Sequence, residues 1–118
     1  IDHLGLVRLA KGAAAFEMGV ILYQQKKFAP AQGLFRQAAR LKFNAGPSHL
    51  FLGLMAFAES KFNQAEPHFE YVARQSDPEL SAVGHYYLGI IYLKNGYGGL
   101  GLGQLVASSR ERDCQGYW

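Results

Sequence analysis

The segment at 28–40, FAPAQGLFRQAAR, returns at 62–74 as FNQAEPHFEYVAR, 34 residues further on. Aligning 12–45 with 46–79 pairs Gly12 with Gly46, Gly19 with Gly53, Lys27 with Lys61 and Phe28 with Phe62. The same alignment pairs Ala31 with Ala65, Phe35 with Phe69, Ala39 with Ala73 and Arg40 with Arg74. A period between about 20 and 50 residues is the signature of repeat architecture, in which no unit buries its apolar face alone and stability comes from stacking neighbours.

The chain reads as pairs of helices. Residues 12–26 are rich in Ala and unbranched side chains and predict a helix. A second helix has Pro30 in its first turn, where proline is tolerated, and is expected to run to about Phe43. Asn44, Ala45, Gly46 and Pro47 then break it. Ser76, Asp77, Pro78 and Glu79 form a helix start, with Asp77 as N-cap and Pro78 at the first helical position. A third unit follows, Gly89 standing 36 residues after Gly53, so two extra residues sit near 75–79. The expected divisions of one domain are an N-terminal extension at 1–11, units at 12–45, 46–81 and 82–109, and a tail at 110–118. The extension is either the end of an earlier helix or part of the next one. Glycines at 96, 98, 99, 101 and 103 predict a weak final helix, each interior glycine costing about 1 kcal/mol relative to alanine.

Gly19, Ala31 and Phe35 in the first unit, and Gly53, Ala65 and Phe69 in the second, resemble the tetratricopeptide repeat family. Its pattern has a small residue at the eighth position, alanine at the twentieth and an aromatic at the twenty-fourth. Leu88-Gly89 and Tyr92 match the first helix of a third unit, and the resemblance covers about 12–95. The family's tryptophan is replaced by Ala15, His49 and His85, and only Pro78 corresponds to its terminal proline. The resemblance implies an all-α, right-handed α-α superhelix of about three repeats. It also implies that the first helix of each pair (helix A) lines a concave surface, with the second helix (B) outside. Glycine at the eighth position lets A approach its own B, and Phe35 and Phe69 fill the space between units.

On the first helix A, Ala15, Met18, Gly19 and Leu22 form the expected inward stripe at i, i+3, i+4 and i+7. A second apolar stripe comprises Phe16, Val20 and Tyr23, with equivalents Leu50, Leu54 and Phe57, then Tyr86, Ile90 and Leu93. On the family's concave surface these nine residues would make a continuous apolar groove, suited to an apolar peptide or an amphipathic helix. The bland alternative is that these helices are simply buried on most sides. The family's carboxylate-clamp class needs Lys and Asn at such sites, and the first two units have neither, so an acidic C-terminus is a disfavoured ligand.

Other chemistry is thin. Gly96, Gly98 and Gly101 fall in G-x-G-x-x-G order, but a dinucleotide loop needs a preceding strand and an acidic residue about 20 positions on. Repeat register puts 86–94 on a helix, and Glu111 and Asp113 come too early. His49 and His85 occupy equivalent packing positions and lack a third metal ligand, while His3 and His68 read as surface residues. Arg36, Arg40 and Arg74 read as a solvated convex face rather than a phosphate row. Cys114, the single cysteine, excludes an internal disulfide and has Arg112 near it. The 118 residues are 49% hydrophobic and 18% charged with net charge +3, which suits a folded domain and does not argue for nucleic acid. The longest apolar run, at 50–58, is too short to span a bilayer. No secretory leader is read, although the first residue is Ile1, and a soluble protein with the cytoplasm favoured is expected.

The expected function is noncatalytic protein–protein interaction, chaperone- or adaptor-like, with no cofactor, metal or nucleic acid. A scaffold that oligomerises through its repeats is the structural alternative, and nucleotide binding at 96–101 a third. The third unit is expected to leave an apolar end, completed by a following repeat, by another copy of the chain, or by Tyr117 and Trp118.

Overall fold

Six helices follow one another, with no strand among the described residues, which in this computed structural model are 3–113 for the backbone and 3–110 for side chains. They are α1 (His3–Gln24), α2 (Phe28–Arg40), α3 (Ala45–Ala58), α4 (Phe62–Ala73), α5 (Pro78–Lys94) and α6 (Gly98–Asp113). Each helix packs on the next in sequence, and α5 also touches α3. In sequence the helices fall into three pairs, α1–α2, α3–α4 and α5–α6. Cys114, and Tyr117 and Trp118 as one of the expected covers of the apolar end, lie outside the described residues.

The turn inside each pair is the same turn. Lys26, Ser60 and Gly96 all take positive φ, at 64°, 59° and 83°. The next residue's N–H donates back five residues: Lys27 to Leu22, Lys61 to Ala56 and Tyr97 to Tyr92, at 2.8–2.9 Å. This is the Schellman arrangement, which satisfies the free carbonyls at a helix end. Only the third turn has the glycine that makes such a φ free of cost. At the start of α5 the Asp77 carboxylate accepts from the Glu79 N–H at 3.0 Å, and Pro78 takes the first helical position, as the sequence predicts.

Two boundaries differ from expectation, and a third is open between two readings in the sequence. Residues 3–11 continue α1 without a break, so the extension belongs to the first helix. Helix α2 stops at Arg40, because Lys42 turns left-handed and Phe43 N–H bonds the Ala38 carbonyl. The third pair spans 78–113, and α6 is a full 16-residue helix despite its glycines. Tertiary packing overrides weak propensity here. A Cβ on Gly101 would stand 2.8 Å from Leu93 Cγ, and one on Gly89 would stand 2.9 Å from Leu105, so these glycines let α5 and α6 approach. Ser108 Oγ also donates to the Ala82 carbonyl at 2.8 Å.

Fully buried Phe35 and Phe69 are the largest core side chains. Phe35, from α2, stacks flat on Phe51 of α3 with centroids 4.5 Å apart; Phe69, from α4, stacks on Tyr87 of α5 at 4.8 Å. Tyr23 meets Phe28 and Phe51 edge-on at 5.4 and 5.0 Å, and Phe57 meets Phe62 and Tyr87 at 5.3 and 5.2 Å. Four rings therefore form one cluster twice, between units one and two and again between units two and three. Edge-on and stacked pairs add about 0.5–1.5 kcal/mol each beyond the area they bury. A Cβ on Gly19 would come within 3.1 Å of the Phe35 ring, and one on Gly53 within 2.9 Å of Phe69. The glycine at this position is thus explained by the ring that lies over it.

Candidate functional site

The A helices α1, α3 and α5 carry the nine expected groove residues, and the ring clusters decide how much of each remains accessible. Phe16, Val20 and Tyr23 on α1, Leu50, Leu54 and Phe57 on α3, and Ile90 on α5 are half-buried; Tyr86 and Leu93 on α5 are exposed. Phe16 lies among Phe35, Phe43 and Phe51, with centroids 5.8–6.3 Å away. Phe57 lies among Phe62, Phe69 and Tyr87. Both rings brace the junctions and offer only part of their surface.

Tyr23 and Leu54 come together across the first junction. With Phe28, Met55, Ala58 and Glu59 they line a shallow cavity of about 180 Å³. A neighbouring hollow of about 120 Å³ shares Phe28, Met55 and Glu59 and adds polar Gln32, Lys61 and Gln64 at its rim. Apolar walls with a few polar groups at the edge suit an apolar side chain entering from solvent. Phe28, Met55 and Glu59 are not among the nine. Their signal in the sequence was the recurrence of Phe28 at Phe62, directly after the A–B turn.

One member of the expected inward stripe is misplaced. Ala15 and Gly19 are buried and Leu22 half-buried, but Met18 is 52% exposed. The face of α1 on which Met18 lies is exposed among the described residues.

The histidines also differ from expectation. His49 and His85 do occupy equivalent positions, but each pairs with the residue 19 further on, across its own unit. His49 Nδ1 lies 2.9 Å from His68 Nδ1, and His85 Nδ1 lies 2.7 Å from Gln104 Oε1. His68 is therefore a half-buried partner rather than a surface residue, and the Tyr71 ring covers His49 at 4.1 Å. One proton serves the two Nδ1 atoms. Burial lowers the pKa of His49; burial, then the charge of His49 and of Arg36, lowers that of His68 to about 4. No group of three or more metal-ligating side chains occurs among the described residues.

A histidine that protonates near 6.5 unfolded but near 4 folded binds its proton more readily in the unfolded chain. Its contribution is complete above about pH 6.5 and is lost as pH falls toward 4. For a half-exposed group, solvent screening reduces the effect to about 1–2 kcal/mol. His68→Gln recreates the His85–Gln104 pair and is expected to remove most of that loss. Melting curves at pH 7 and pH 4.5 check this; equal losses for wild type and variant would assign the pH dependence elsewhere.

Near the remaining tyrosine, burial and the carboxylates of Glu66 and Glu70 raise the Tyr92 pKa, and its hydroxyl donates to Glu66. This bond ties α4 to α5. The glycines of the dinucleotide-like run do structural work: Gly96 makes the turn, Gly98 opens α6, and Gly101 is packed under Leu93. The element before them is a helix, so the strand–turn–helix condition is not met. No described helix is long and apolar enough to cross a membrane. Compared with family models, curated proteins and solved structures, the chain matches none.

Proposed function

We propose that the chain is a right-handed superhelix of three tetratricopeptide-like repeats, acting as a noncatalytic interaction module. Its ligand is an apolar peptide or an amphipathic helix, held across α1, α3 and α5 in the manner of a chaperone or adaptor. The observation that carries this reading is the apolar cavity at Tyr23 and Leu54, formed where one unit meets the next. Around it, seven of the nine predicted side chains are anchored by packing yet remain partly open, and Tyr86 and Leu93 extend the surface onto α5. Rings held by neighbours lose little entropy when a ligand covers them, so burial at about 25 cal/mol per Å² is less offset by ordering.

A library of labelled amphipathic peptides with Leu, Ile and Phe at i, i+3, i+4 and i+7 tests this reading by fluorescence anisotropy. Members are expected to bind with Kd of about 1–100 µM. Tyr86→Asp is expected to weaken binding about tenfold, roughly the loss of one modest anchor, with the melting temperature nearly unchanged because that side chain is exposed. No binding by any member, or equal binding by the variant, would count against the groove.

A further inference from the structure

The three A helices share one register, and it identifies a stacking face left uncovered. Ser48, Leu52 and Met55 of α3 correspond to Gly84, Leu88 and Ile91 of α5, and all six are buried. On α5 this face meets the B helix of the preceding unit: a Cβ on Gly84 would overlap the Ala73 backbone nitrogen of α4, and Ser81 Oγ donates to the Ala73 carbonyl. The corresponding residues of α1 are Ala14, Met18 and Ile21. Met18 and Ile21 are each 52% exposed, against 2% and 6% for Leu52 and Met55, and 3% and 0% for Leu88 and Ile91. They are apolar like their buried counterparts, and an open hollow of about 390 Å³ lies beside them between α1 and α2. Exposed Leu4 and Val7 continue the row along the extra length of α1.

The complementary half lies at the other end. The side of α4 that meets α5 carries Glu66, which accepts from Tyr92, and Phe69, which stacks on Tyr87. In α6 the corresponding residues are Leu102 and Leu105, with Val106 at the position of Glu70. Leu102 and Val106 are exposed and Leu105 is half-buried. Where α4 has carboxylates, α6 has aliphatic side chains. Among the described residues both halves of the junction used inside the chain are therefore present, apolar and largely exposed, one on α1 and one on α6.

We infer that copies of this chain associate head to tail, the Leu102–Leu105–Val106 face of α6 docking on the Ala14–Met18–Ile21 face of α1 of the next copy. The joint continues the junction already built between units, and goes beyond peptide capture on the A helices. It is a weakened version of that junction, because Glu17 stands where Phe51 and Tyr87 supply the stacked ring. Association of this kind is heterologous and open-ended, so it grows with concentration rather than stopping at a closed pair.

Sedimentation velocity on the full chain between about 5 and 500 µM tests this. The weight-average mass is expected to rise steadily with concentration. Glu17→Phe restores a ring to the joint and is expected to move the rise to about tenfold lower concentration. Ile21→Glu and Val106→Glu, both at exposed positions, are each expected to be monomeric with wild-type melting curves. Mixed in equal amounts they are expected to form a one-to-one dimer, because each retains the face the other lacks. A wild-type chain monomeric throughout the range would overturn the inference, as would a mixture that stays monomeric. Either variant remaining dimeric by itself would overturn it too, by showing pairing of like faces.

Discussion

Phe69→Ala is expected to lower the unfolding free energy by about 3–5 kcal/mol, at the upper end of core truncations. The ring is fully buried and lies between Gly53, Phe57 and Tyr87, so it belongs at once to the inside of unit two and to its junction with unit three. Collapse around the cavity is restricted because α3, α4 and α5 are all fixed by their own turns. A domain of this size has about 5–15 kcal/mol in total, so the variant stands near the edge of folding. Urea denaturation measures the loss, and hydrogen exchange should show α5 and α6 opening before α1 and α2. A loss under about 1.5 kcal/mol would mean that the ring is not the joint between those units.

Gly84→Val is the second large effect, and it acts through the backbone. The added Cβ would overlap the Ala73 nitrogen and stand 2.7 Å from Ala73 Cα and 2.9 Å from the Val72 carbonyl carbon. None of these atoms is the end of a flexible side chain, so α5 must move away from α4. The expected cost is about 3 kcal/mol, toward the severe end of overpacking. Gly33→Ala is the control: nothing lies within 4 Å of a Cβ there, and the change should stabilise α2 by up to about 1 kcal/mol. Thermal melts of both variants check the contrast. If Gly84→Val melts like wild type, α4 and α5 do not approach this closely.

Much of this packing was readable from residue types. Gly19, Gly53 and Phe35, Phe69 recur at one spacing because a glycine and the ring above it form one contact, repeated. The pairing of helices and the Asp77-Pro78 start could be read for the same reason. What could not be read depends on more than one helix at a time. Met18 fits an inward stripe, but whether such a stripe is covered depends on a neighbouring helix, and here Met18 is exposed. The final helix looked weak because helix propensity is a property of single residues, whereas Gly101 and Gly89 contribute by letting two helices approach. The His49–His68 pair links residues 19 apart, a relation that becomes visible only once A and B are aligned side by side. Phe51 and Tyr87 stand next to the predicted Leu50 and Tyr86, a rotation of about 100° on the helix that changes a groove residue into a junction residue.

The repeated junction itself is tested most directly by two double-mutant cycles, Phe35→Leu with Phe51→Leu and Phe69→Leu with Tyr87→Leu. Leucine keeps the site apolar while removing the stacked ring. A coupling of about 0.5–1.5 kcal/mol in each pair, similar between the two, is the expected result. Coupling indistinguishable from zero in either pair would contradict a chain built on one contact used twice.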